Sequence, residues 1–490
     1  MGKNSFAIYT ASGRILAMLC NFAMPLFLTH YLSQSDYGVY SQFILLLGFA
    51  GSIFSFGLQS NLYYFYPTSD IKKQKTLLGN TFFTLLVFAL IALIFIESPI
   101  LSKLLIKDED LKHFIGIIGV CVLLNIPTYI IWPVIVIRKD KKLSVFYPSL
   151  EVLLKVIFTV IAIIIFKNIN AIFISLLFAQ ICLFVFSTIY TMQPLNKIDT
   201  SIFDWDLLKS QLKYSLPFGC SIILVTIFRQ LDKILCISYI STTEYAIYSL
   251  AFYGIPGINQ IYDSVCEVNL LNMSDAYKKG DIKETLNLYQ NFCTKLLSFS
   301  TPVIFIVFLF SREIFSCLFS EEYMKAVPYF RIYIFSFIIG GLGAGTILRA
   351  IGKTRYTLRA FLYSSIVYFP FSYLSIKYFG TWGAITTSML GIILPKLFQI
   401  HFERKLLNIR FMEYMPWNSF AKILLISIIF IIPFIVLYNF VKLNIYFICI
   451  ISIIYLLTTY IIELKYNIFI IPKSSAKTFI IKLFRKEVIS

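Results

Sequence analysis

Charge is scarce in this chain. Of its 490 residues only 14% are Asp, Glu, Lys or Arg, against about 25% in a typical soluble domain, which excludes an ordinary water-facing fold. Histidine is nearly absent: His30, His113 and His401 all fall near the ends of apolar stretches, and none has a sequence partner that suggests a ligand or a base. The nine cysteines (Cys20, Cys121, Cys182, Cys220, Cys236, Cys266, Cys293, Cys317 and Cys449) make no CxxC pair and no Cys/His metal spacing, so they read as small packing residues. Nothing in this inventory calls for a metal, a cofactor or a catalytic residue. Period-two alternation is missing as well, which excludes barrel strands.

What the chain has is long apolar runs. Hydrophobic residues make up 58% and the mean hydropathy is +0.80. A helix needs roughly 20 apolar residues to cross a hydrocarbon core of about 30 Å. About fourteen stretches qualify, near 6–30, 38–66, 78–97, 114–137, 145–166, 171–192, 211–239, 245–271, 291–311, 328–350, 356–377, 382–402, 420–440 and 443–463. The expected fold is an all-α integral membrane protein. The first stretch has only Lys3 ahead of it, is long, holds Arg14 and shows no small-residue cleavage pattern, so it reads as a retained helix and not a signal peptide.

The net charge of +18 invites a nucleic-acid reading until the basic residues are placed. With the N-terminus taken as cytoplasmic, 27 of the 43 fall at Lys3, at the even-numbered turns or in the tail after 464, and only eight at the odd-numbered turns. By the positive-inside rule both termini are cytoplasmic. The excess then needs no nucleic acid, and the tail's lysines suit anionic membrane lipid.

Residues 31–41 read YLSQSDYGVYS and residues 239–249 read YISTTEYAIYS, five of eleven identical and five more conservative. The ungapped register runs on to Asn61/Asn269 and Leu62/Leu270 and sets Gln59 against Glu267. A period of about 200 residues exceeds any solenoid unit and implies two homologous halves. Six helices separate the copies, an even number, so the halves are parallel repeats about an axis near the membrane normal. Weaker echoes are Arg138 with Arg349, and FKNINAI (166–172) with FGTWGAI (379–385). The expected plan is a six-helix lobe over 1–195, a second over 196–405, an extra helix pair over 406–464 and a basic cytoplasmic tail over 465–490. Two parallel lobes around a central cavity suit alternating access.

The phrase Tyr31 to Ser41, and RQLDKIL at 229–235 just before its second copy, resemble the polysaccharide and O-antigen (Wzx-type) flippases of the multidrug/oligosaccharidyl-lipid/polysaccharide exporter superfamily. The resemblance covers nearly the whole chain, including the final helix pair. It implies a flippase in the bacterial inner membrane that carries undecaprenyl-diphosphate-linked oligosaccharide from the cytoplasmic to the periplasmic leaflet, for O-antigen or another lipopolysaccharide or surface polysaccharide. It also implies sodium or protons as coupling candidates, and glycosyltransferases and a polysaccharide polymerase as pathway partners.

Charges deep in helices cost roughly 3 kcal/mol or more, so they mark candidate sites. Arg14 lies about 12 Å into the first helix at 1.5 Å per residue. The resemblance gives it the diphosphate, whereas the bland reading has it snorkel to the cytoplasm. Arg229, Asp232 and Lys233 share a helix face; the resemblance sets them beside the cavity, with Asp232 neutralising its basic neighbours or coupling a cation, and the alternative is a structural ion cluster. Glu151 and Lys155 are an acid-then-base pair at i, i+4, either structural or substrate-binding. Asp263 and Glu267 also share a face, where two carboxylates would attract a cation or a proton; helix packing is the alternative. Two other functions compete. A multidrug or organic cation exporter of the same superfamily predicts an acidic cavity and twelve helices. A membrane glycosyltransferase or polymerase predicts positioned carboxylates or a metal in a sizeable outer loop, and the longest outer turns here have about 16 to 19 residues without such a set.

Overall fold

A computed structural model describes residues 3–67, 69–99, 109–192, 201–440, 444–466 and 468, with side chains left out at 3–14, 109, 110, 217, 218, 264, 267, 268 and 439. Among the described residues every regular element is helical. In chain order they are α1 (Lys3–Tyr31), α2 (Gln34–Phe54), α3 (Leu62–Phe65), α4 (Ile71–Glu97), α5 (Glu109–His113), α6 (Ile115–Thr128), α7 (Ile131–Arg138), α8 (Lys141–Phe166), α9 (Ile169–Met192) and α10 (Trp205–Tyr239). There follow α11 (Thr242–Ala251), α12 (Ile258–Lys278), α13 (Ile282–Leu309), α14 (Ser311–Leu318), α15 (Val327–Gly341), α16 (Thr346–Ala350), α17 (Arg355–Leu407), α18 (Phe411–Tyr414), α19 (Trp417–Phe440) and α20 (Ile445–Lys465). Short 3-10 turns cover Leu58–Asn61 and Glu321–Ala326.

All fourteen apolar stretches fall on helix, yet among the described residues nine helices are long and apolar enough to cross a membrane singly. Most of the difference has physical causes, and part is that side chains before residue 15 are not described. Stretches eight and ten are interrupted, at 252–257 and 342–345. Stretches eleven and twelve run together as α17, kinked at Gly380 (φ 54°, ψ −128°). The described side chains of α1 leave a short apolar span, Ile15–Tyr31, and α10 holds Arg229, Asp232 and Lys233. The protein is a multi-pass membrane protein.

The chain divides into two compact units. The first comprises Met1–Pro256, Leu318–Tyr329 and Ser364–Gly391; the second comprises Gly257–Cys317, Phe330–Tyr363 and Ile392–Ser490. In the first, α1 packs along α8, α4 along α6, and α9 against both α6 and α8. In the second, α13 packs against α12, α19 and α20, around a core that includes Tyr289, Phe292, Leu296, Ile347 and Tyr414.

The repeated phrase is a helix start. Ser33 caps α2, accepting from the Asp36 N–H at 3.1 Å. Ser241 and Glu244 form a reciprocal capping box on α11, which satisfies two orphan amides at once. The two copies then pack on each other, since α2 lies against α11 within the first unit. Gly38 is the contact point: a Cβ there would sit 2.2 Å from the Thr242 carbonyl oxygen. One turn on, the Ser41 and Ser249 hydroxyls are 3.4 Å apart.

The echo of FKNINAI in FGTWGAI has a backbone basis. Lys139 (φ 53°) and Gly352 (φ 70°) both follow a helix end with positive φ, and Lys167 (φ 47°) at the end of α8 answers Gly380 (φ 54°) at the kink of α17. Each pair is 213 positions apart. The interruption between α6 and α7 at Tyr129 and Ile130 matches the one after α15 at the same offset.

Candidate substrate and ion sites

α10 carries the charged triplet into the first unit, and the structure gives its members different surroundings. Asp232 is only 2% exposed. Its carboxylate accepts from the Tyr248 hydroxyl at 2.6 Å and from the Ser388 hydroxyl, which lie 2.9 Å from one another. Tyr248 comes from the second copy of the repeated phrase, and Ser388 from α17. A buried carboxylate with two hydroxyl donors makes strong charge-assisted bonds. It is also an all-oxygen cluster that can take a proton, or hold a small cation by turning a hydroxyl from donor to ligand. Lys233 points its ammonium at the Phe252 ring, 4.3 Å from the centroid, and Arg229 is exposed. Among the described residues no ion pair joins Asp232 to either neighbour. The direct ligands of Asp232 are the two hydroxyls.

Glu151 and Lys155 form the expected bridge at 2.9 Å, both half-buried. Their helix, α8, lies along α1, which bears Arg14, whose side chain is outside the described residues. Asp263, on α12 in the second unit, is exposed; Glu267 is outside the described side chains, so the acid pair stays an expectation.

Sequence reasoning missed several polar centres. In the first unit Gln211 is fully buried and donates to the Asn61 side-chain oxygen at 2.9 Å, the Leu77 carbonyl at 3.3 Å and the Thr81 hydroxyl at 2.9 Å. Next to it Asn80 exchanges two bonds with the Asp204 backbone, at 2.9 Å and 3.0 Å, which fastens the start of α10 to α4. In the second unit Glu463 accepts from the Ser298 hydroxyl, and Glu403 is fully buried with Tyr414 donating to it. Burial above all, with the Tyr289 phenol and the Glu403 carboxylate adding to it, pushes the Tyr414 phenol far above its ordinary range, so it remains a donor. The available signal was an acid or amide inside an apolar run. Its partners were invisible, being neutral residues, most of them distant in sequence.

The pattern of the family described as "Polysaccharide biosynthesis protein" matches residues 27–328, more than half the chain. The chain belongs to the polysaccharide biosynthesis protein family. A membrane protein of uncharacterized function from Methanocaldococcus jannaschii is 23% identical over 424 residues, 81% of each chain. Among solved structures this family member is similar to the lipid II flippase MurJ in an inward closed conformation, with a TM-score of 0.75 at 16% identity, covering 95% of this chain and 99% of that one. It is also similar to an inward-facing multidrug resistance MATE transporter of the MOP superfamily, with a TM-score of 0.65 at 13% identity, covering 82% and 98%. The fold is therefore that of the MurJ and MATE transporters.

Proposed function

We propose that the protein is a flippase, not an enzyme, that moves an undecaprenyl-diphosphate-linked oligosaccharide from the cytoplasmic to the periplasmic leaflet of a bacterial inner membrane. The observation that carries this reading is family membership joined to a MurJ-like fold over 95% of the chain, against 82% for the MATE likeness. The protein works by alternating access, as two six-helix halves over 1–195 and 196–405 with the helix pair 406–464 added, and both termini are cytoplasmic. Arg14 and Arg229 meet the diphosphate, for which a guanidinium fork is suited, and Lys233, Glu151 and Lys155 contribute to the polar path for the sugars. Asp232 is the coupling group for sodium or protons, with Asp263 and Glu267 as further candidates. Glycosyltransferases supply the cargo and a polymerase consumes it.

The buried acid Asp232 favours one second reading, a cation-coupled multidrug exporter. One experiment separates the two. In proteoliposomes holding a fluorescent undecaprenyl-diphosphate oligosaccharide, leaflet exchange is scored with a membrane-impermeant quencher, with and without an ion gradient. The flippase reading expects protein-dependent exchange that falls at least tenfold in Arg14→Ala/Arg229→Ala, while the variant inserts normally. Uptake of organic cations without lipid exchange would transfer the assignment to the exporter.

A further inference from the structure

The strongest unassigned arrangement is in the second unit, where α15 stops at Gly341 and α16 starts at Thr346. Gly343 (φ 60°) and Gly345 (φ 89°) take the turn between them. An interrupted helix leaves carbonyls unpaired on one side and amides unpaired on the other, which is costly inside hydrocarbon. Side chains bond the backbone on both sides. Tyr262 donates to the Phe337 carbonyl at 2.8 Å and Lys396 to the Ile339 carbonyl at 2.9 Å. Tyr289 donates to the Leu342 carbonyl at 2.7 Å, with the Cys293 thiol on the same oxygen at 3.2 Å. On the far side the Glu403 carboxylate accepts from the Leu348 N–H at 3.2 Å.

Lys396, Gln399 and Glu403 follow one another at i, i+3 and i+7, so they form one stripe of α17. Gln399 fills the gap opposite Gly345, where a Cβ would lie 2.8 Å from its side-chain oxygen. The ammonium faces the carbonyl end of α15 and the carboxylate the amide end of α16, the signs that favour each helix end. Seven residues of helix separate Lys396 and Glu403 by about 10 Å, too far for a direct ion pair.

We propose that Lys396 and Glu403 are positioning residues that clamp the interruption between α15 and α16, Lys396 by donating to the carbonyl end of α15 and Glu403 by accepting from the amide end of α16. The clamp rests on the transporter reading above, but its test is chosen to be independent of the cargo. Hydrogen exchange of the purified full-length protein is followed by mass spectrometry over 342–350, with α13 as internal reference. Lys396→Met and Glu403→Gln should each speed exchange there on the order of tenfold and leave α13 unchanged, whereas Lys396→Arg should match the native protein. The exchanged pair Lys396→Glu/Glu403→Lys puts the wrong sign at both helix ends, so it should exchange at least as fast as either single variant. Native exchange in both single variants, or a return to native exchange in the exchanged pair, overturns the clamp. If Lys396→Met does not fold, Glu403→Gln, which keeps the volume and one acceptor oxygen, decides alone. In liposomes the single variants should also slow lipid exchange; a wrong cargo would abolish that readout in the native protein as well, without touching the amide result.

Discussion

Alanine at Gly38 would place a methyl 2.2 Å from the Thr242 carbonyl oxygen, 2.8 Å from its Cγ2 and 2.9 Å from its carbonyl carbon. Real Cβ atoms essentially never come closer than 3.0 Å, so α2 and α11 have to part by about 0.8 Å where the two copies of the repeated phrase meet. Overpacking of this kind costs about 1–3 kcal/mol, a shift of roughly 5- to 150-fold away from the packed arrangement. Two controls isolate the cause. Gly48 lies on the same helix with nothing within 4 Å, so Gly48→Ala should be neutral or stabilising, up to about 1 kcal/mol from helix propensity. Thr242→Ala removes Cγ2 and leaves the carbonyl in place, so added to Gly38→Ala it should give little rescue. The assay is thermal unfolding of the detergent-purified protein, paired with leaflet exchange in liposomes. Native stability and native exchange in Gly38→Ala, or full rescue by Thr242→Ala, would refute the backbone contact as the determinant.

Gln211→Leu should lower stability by about 1–3 kcal/mol, because it leaves the oxygens of Asn61 and Leu77 buried with a lost donor; thermal unfolding reads the change, and a native midpoint would mean that neighbours repack to supply the bonds. Asp232→Asn keeps an acceptor oxygen for the Tyr248 and Ser388 hydroxyls but removes the charge, so the protein should fold while transport falls at least tenfold and loses its response to an ion gradient. Transport at the native rate with an intact gradient response would remove Asp232 from the mechanism.

The apolar runs made the helices legible, because in hydrocarbon a continuous run of this length has few other ways to satisfy its backbone. The duplicated phrase was legible too, and its meaning is local: Ser33 with Asp36 and Ser241 with Glu244 write helix caps, while Gly38 records a contact with the other copy. The interruptions after Thr128 and Gly341 were hidden, since they are two and four residues long and hold no charge that would break the apolar run. At the candidate sites the sequence exposed the charges and concealed what binds them. Asp232 stood out as an acid in an apolar run, but its ligand Ser388 is 156 positions away and neutral. Glu151 and Lys155 were readable as a bridge because both partners lie within one helical turn. Lys396 and Glu403 escaped notice because Lys396 bonds a backbone carbonyl and Glu403 a backbone amide and a neutral tyrosine, none of which has a charge signature in the sequence.

That contrast between Glu151 and Asp232 bears on how the chain enters its membrane. The Glu151–Lys155 bridge closes inside one helix, so α8 can be handed to lipid with its charges already balanced as soon as it leaves the ribosome. Asp232 depends on Tyr248, sixteen residues later, and on Ser388, which is synthesised when most of the protein is already made. Until then α10 has to be sheltered by the insertion machinery or balanced by Arg229 and Lys233 on its own surface. The flanking bases can thus serve during biogenesis whatever they do afterwards, and α10 is a helix whose buried acid gains its last ligand only once residue 388 has been made.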